Sequence, residues 1–67
     1  MSPRQQQLVQ FIAAHKAATG INPSYHEMRE ALSLKSLTFL RKTLNALERK
    51  GVVARRFAGK RTVEVRA

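Results

Sequence analysis

The sequence predicts a mainly α domain of three helices closed by a small β-hairpin, and three observations carry that prediction. Three serines stand where helices can start, at Ser2, Ser24 and Ser36, and serine is a favoured N-cap because its hydroxyl accepts an otherwise unpaired backbone N–H of the first turn. Apolar residues then recur at helical spacing behind each cap. After Gly51 the period changes from three or four to two, the signature of strands.

The first helix begins at Ser2 with Pro3 at its first position, where the missing N–H costs nothing. Leu8, Val9, Phe11, Ile12, Ala13 and Ala17 trace its apolar face, and Thr19-Gly20 ends it about four turns on. Ile21-Asn22-Pro23 connects it to the second helix, with Ile21 expected to act as a hydrophobic staple. Ser24 followed by Glu27 is a capping box, and Met28, Ala31 and Leu32 give the second helix a buried face about two turns long. Ser33-Leu34-Lys35-Ser36 interrupts it. The third helix, about 36–50, places Leu37, Leu40, Leu44 and Leu47 toward the second, and Gly51 supplies a left-handed stop. Val52, Val53 and Phe57 before Ala58-Gly59-Lys60, with Val63 and Val65 after it, form a two-stranded wing over about 52–66. Arg55 and Arg61 share the parity of the buried valines, so both are expected beyond the core, toward the tip. Residues 1–67 thus form a single domain of winged helix-turn-helix type, near the lower size at which a chain without cysteine or metal folds alone.

Composition narrows the function. Thirteen Lys and Arg against four Glu give a formal charge of +9, far more than solubility asks of 67 residues, and point to a polyanionic partner. With no cysteine there is no disulfide scaffold and no thiol chemistry. No apolar run approaches the roughly 20 residues of a membrane span, so a cytoplasmic, nucleoid-associated protein is expected. His15 and His26 sit on different helices without an acidic or cysteine cluster, so no metal is expected. Glu27 is occupied as a cap, and Glu30, Glu48 and Glu64 form no carboxylate pair or nucleophile and base. The chain therefore reads as a non-enzyme without a cofactor.

If the leucines of the third helix face the core, Thr38, Phe39, Arg41, Lys42 and Asn45 turn outward, with Ser36 at the helix start. These six are the candidate base contacts: Arg and Lys suit guanine O6 and N7, Asn suits adenine, and Thr or an aromatic edge suits a thymine methyl. Phe39 has three readings, contact with DNA, packing beneath the wing, or a protein interface. Arg55, Arg56, Lys60 and Arg61 on the wing, Lys35 in the turn, and Ser24 and Tyr25 at the second helix's start are candidates for the phosphate backbone or the minor groove. Capping alone is the simpler role for Ser24.

The order of these residues resembles the N-terminal DNA-binding domain of the LexA repressor family. The resemblance runs through Arg4-Gln5-Gln6 with Leu8, Val9 and Ile12, then Gly20-Ile21-Asn22-Pro23-Ser24 with Glu27-Met28. It continues through Leu32, Lys35, Ser36, Leu44, Leu47 and Arg49-Lys50-Gly51-Val52-Val53 to Arg61 and Val63. It implies a sequence-specific double-stranded DNA binder, a transcription regulator of repressor type, with the third helix in the major groove. Ser33 stands where the family usually has glycine. Thr38, Phe39, Arg41 and Lys42 stand where it tends to have small and acidic residues, which implies a different operator. The sequence stops at Ala67 before any hinge or self-cleaving serine-lysine domain, so the resemblance concerns the DNA-binding domain alone. A winged-helix adaptor that docks another protein is the alternative function, and a basic amphipathic membrane binder ranks below it because the leucines are committed to a core. With little apolar surface left over, a monomer in free solution is expected, paired on DNA across half-sites.

Overall fold

The computed structural model describes residues 1–55 and 63–66. Its elements are α1 (Pro3–Thr19), α2 (Tyr25–Ala31), α3 (Leu37–Arg49), β1 (Val53–Arg55) and β2 (Val63–Val65), the winged helix-turn-helix order. Phe57, Ala58-Gly59-Lys60, Arg56 and Arg61 lie outside the described residues.

Each helix starts on its serine. Ser2 Oγ accepts the Gln5 N–H at 3.2 Å while Gln5 Oε1 accepts the Ser2 N–H. Ser24 Oγ accepts the Glu27 N–H at 3.1 Å, and Glu27 Oε1 accepts the Ser24 N–H at 2.7 Å. Both are full capping boxes. Ser36 Oγ accepts the Phe39 N–H. Gly20 and Gly51 end α1 and α3 with φ of 81° and 76°, the left-handed conformation that glycine adopts without strain. Ser33 adopts it too, at φ 54°, so the turn between α2 and α3 keeps a left-handed residue where the family resemblance has glycine. The Leu34 N–H then closes on Arg29 O at 3.0 Å.

The core is Leu8 and Ile12 of α1, Met28 of α2, Leu34 of the turn, Leu40, Leu44 and Leu47 of α3, and Val53 and Val63 of the wing. In the wing β1 and β2 pair antiparallel, Val53 opposite Val65, Ala54 opposite Glu64 and Arg55 opposite Val63. A further bond from the Arg66 N–H to Val52 O carries the pairing one residue outward. The wing braces the domain from both sides, β2 against α1 and β1 against α3.

Several expectations are corrected. Ile21 is exposed and staples nothing. With Ser24 as the cap, the staple position is the residue before it, Pro23, which is fully buried, as is Met28 four positions into the helix. Ala13, Ala17 and Ala31 are exposed, because a two-turn or four-turn helix on so small a core buries only its larger residues. Leu34, placed in the turn by its position, is buried and plugs the joint between α2 and α3. Arg55 does stand at the tip end of β1, but opposite the fully buried Val63, so it flanks the core instead of clearing it.

Candidate nucleic-acid interface

Because Leu40, Leu44 and Leu47 are fully buried, the opposite side of α3 is fixed by helical geometry. Thr38, Lys42, Asn45 and Arg49 follow at steps of four, three and four residues and form one exposed stripe on that side. Arg49 is absent from the six residues proposed from sequence as base contacts. The signal that would have found it is the same periodic step carried one turn further.

Two flanks border the stripe. On the wing flank stand Arg41, exposed, and Glu48. Arg55 reaches across from β1, donating from Nη2 to Asn45 Oδ1 and, at 3.2 Å, to Glu48 Oε1. It is also hydrogen-bonded to the side chain of Tyr25 at the start of α2. Burial works to lower the Arg55 pKa, but the bonds to Tyr25 and Glu48 and the Glu48 charge outweigh it, so the guanidinium stays charged with its pKa above the ordinary arginine value. Its side chain is 24% exposed, mostly covered but with its charge held at the edge of the domain.

On the opposite flank Phe39 is 48% exposed. It lines an open hollow of about 380 Å³ together with Arg4, Ser33, Leu34 and Lys35. Among the described residues the wing meets α3 through Arg55, at Asn45 and Glu48, on the flank away from Phe39. Arg4 donates to Leu32 O at 2.9 Å and Lys50 to Gln5 Oε1 at 3.1 Å, so both cations also tie α1 to the helix pair.

The remaining sequence candidates divide by surroundings. Ser36 and Lys35 are exposed at the start of α3. Ser24 is half-buried and bonded within its capping box, and Tyr25 is half-buried, packed on the core and bonded to Arg55. Arg56, Lys60 and Arg61 lie outside the described residues. Glu48 is the one acid of α3, and its charge is paired with Arg55, leaving Arg41, Lys42 and Arg49 to set the sign of the outward surface.

His15 is built into the loop, with Nδ1 3.0 Å from Ile21 O and Nε2 3.7 Å from Glu27 Oε1. Among the described residues no group of three or more His, Cys, Asp or Glu is placed to hold a metal, and no helix is long and apolar enough to cross a membrane.

Comparison with known proteins supplies the family. Residues 1–62 match the family model described as the LexA DNA binding domain, a domain that binds DNA and not a catalytic one. The LexA repressor of Erythrobacter litoralis is 40% identical over 55 residues, covering 82% of this chain and 24% of that protein. That of Granulibacter bethesdensis is 37% identical over 65 residues, 97% of this chain and 27% of its own length. That of Pelagibacter ubique is 35% identical over 65 residues, 97% of this chain and 29% of its own length. The chain spans about a quarter of the length of the curated relatives it matches. With a family match over nearly all its residues and the family's three helices and wing in place, the chain belongs to the LexA DNA-binding domain family.

Proposed function

We propose that this domain binds double-stranded DNA sequence-specifically, as part of a transcription repressor, with α3 in the major groove. The observation that carries the reading is the exposed stripe of Thr38, Lys42, Asn45 and Arg49 with Arg41 beside it, on the second helix of the helix-turn-helix, while the one nearby acid is neutralised internally. In this motif the second helix enters the groove by its N-terminal half. Thr38, Phe39, Arg41 and Lys42 then meet base edges, and Asn45, the next residue of the exposed stripe, extends the contact one turn further along the groove. Ser36, at the helix start, joins the base contacts, while Lys35 and Arg49 stand at the two ends of the helix, where the phosphate strands pass. The wing residues Arg56, Lys60 and Arg61 add phosphate or minor-groove contacts, which raise affinity without specifying sequence.

The test is selection of bound duplexes from a random pool, followed by affinity against salt on the selected site. A defined consensus is expected, and if about six phosphates are neutralised, log K falls with log salt at a slope near −5. No consensus together with a slope shallower than about −2 overturns the reading. One observation favours a second reading, a protein adaptor: an exposed phenylalanine between Arg4 and Lys35 also suits an acidic peptide. A domain that ignores DNA but binds such a peptide through Phe39 would establish it.

One small module reads few bases, so pairing on DNA is part of the proposal: monomers in solution, two on half-sites about one helical turn apart. Sedimentation of the free protein, with titration onto one-site and two-site duplexes, checks it. A stable dimer without DNA, or equal affinity per site on both duplexes, refutes it.

A further inference from the structure

An asparagine on a recognition helix offers a carbonyl oxygen that accepts and an amino group that donates. The two together suit adenine N7 and N6. The amino group alone suits a base edge that presents acceptors, guanine O6 and N7 or thymine O4. Asn45 of this chain is not free to choose. Arg55 Nη2 donates to its Oδ1, and a guanidinium can only donate, so turning the amide over would set N–H against N–H. Arg55 is itself held in place. It bonds Glu48 Oε1 at 3.2 Å and the Tyr25 side chain, its own side chain is 24% exposed, and it sits opposite Val63 in the ladder. Residues of α2, α3 and β1 therefore meet at one fork, and among the described residues the amino group is the part of the Asn45 amide with no internal partner.

Resting on the DNA-binding reading, we infer that Arg55 is a positioning residue for base recognition and not a phosphate contact. It occupies the carbonyl of Asn45 and presents the amino group to DNA. On the strand Asn45 touches, a keto base, guanine or thymine, is then favoured: cytosine offers that strand only its amino donor, and adenine keeps N7 as an acceptor but sets its N6 amino group beside another donor. The wing thereby acts on sequence preference without touching a base.

The experiment measures base preference and salt slope for the intact domain and for Asn45→Ala, Arg55→Met, Arg55→Lys and the double variant Asn45→Ala with Arg55→Met, after circular dichroism has shown each folded. Asn45→Ala identifies the base pair concerned by losing preference there, on the order of tenfold. The expected result is a keto base at that position. Arg55→Met and Arg55→Lys should both relax the preference there and nowhere else, the salt slope should stay unchanged, and the double variant should be no worse than Asn45→Ala. Arg55→Lys discriminates because it keeps the charge but loses the planar, pre-organised guanidinium that holds Asn45 and Glu48 at once. The inference is overturned if an amino base is preferred at that position. It is equally overturned if Arg55→Met weakens all sequences alike and lowers the slope by about one while Arg55→Lys behaves as the unchanged domain. An unchanged domain that selects no sequence overturns the DNA-binding reading and this inference with it. One that selects a sequence while the two substitutions simply add overturns this inference alone.

Discussion

On the wing flank of α3, Arg55 is bonded to Asn45, Glu48 and Tyr25 and is three-quarters covered; on the opposite flank, Phe39 and Lys35 face an open hollow. The first cation is bonded internally, and the second flank is open to solvent. A count of basic residues treats the two alike. The difference teaches that surface charge becomes binding charge only after internal bonds have been subtracted, and that Arg41, Lys42 and Arg49 carry more of the ligand-facing potential than their share of the formal +9 suggests.

The sharpest break between structural and ligand-facing residues runs through α3 itself, and the largest expected effect lies there. Leu44→Ala should cost about 2 to 5 kcal/mol of folding stability, because it opens a cavity at a fully buried position of the core. Lys42→Ala, two residues away on the exposed stripe, should stay within about 0.5 kcal/mol. Urea unfolding of the two variants checks the contrast. Equal losses would mean that the outward face is buried in an assembly.

On DNA the order reverses. Lys42→Ala should cost about 1 to 3 kcal/mol on the selected site and much less on random duplex. Arg49→Ala, at the far end of the stripe, should weaken both alike and lower the salt slope by about one. Similar profiles for the two would place both on the backbone and remove Lys42 from the base-reading set. Phe39→Ser separates the flanks by a smaller effect: little change in stability, since half of the ring is already in solvent, and a loss on DNA of about 1 kcal/mol if the ring covers a thymine methyl.

What the sequence makes legible is what local chemistry decides. Ser2, Ser24 and Ser36 announce the helix starts because capping is settled within four residues, and Leu40, Leu44 and Leu47 announce the buried side because large apolar residues rarely stay in water at that spacing. The failures have equally physical causes. Ala13, Ala17 and Ala31 lie on apolar faces by period, but a single methyl gains little from burial, so the shape of the core leaves them outside. Leu34 is buried from a turn, where no period exists to reveal it. The role of Arg55 depends on the hairpin folding onto α3, which brings it to residues seven and ten positions earlier. Strand parity gave its direction, and only tertiary packing gave its partners.

The smallest predicted effect concerns the joint between the helix pair and tests whether the turn is built for precision or tolerated. Ser33 holds φ 54°, a conformation that costs an L-residue roughly 1 to 2 kcal/mol and glycine almost nothing. Glycine carries an opposing cost, since its freer unfolded chain loses about 0.5 to 1 kcal/mol more entropy on folding. Ser33→Gly should therefore stabilise the domain by about 0.5 to 1 kcal/mol. The reverse change at the end of α3, Gly51→Ala at φ 76°, should destabilise it by about the same amount, because open space surrounds the added Cβ and torsional strain alone is at stake. Thermal melts of the two variants read the effects as shifts of opposite sign. If Ser33→Gly also leaves DNA affinity unchanged, the left-handed turn alone sets the approach of α3. A loss of affinity in the more stable protein would instead show that the serine side chain, on the rim of the Phe39 hollow, belongs to the binding surface of the open flank.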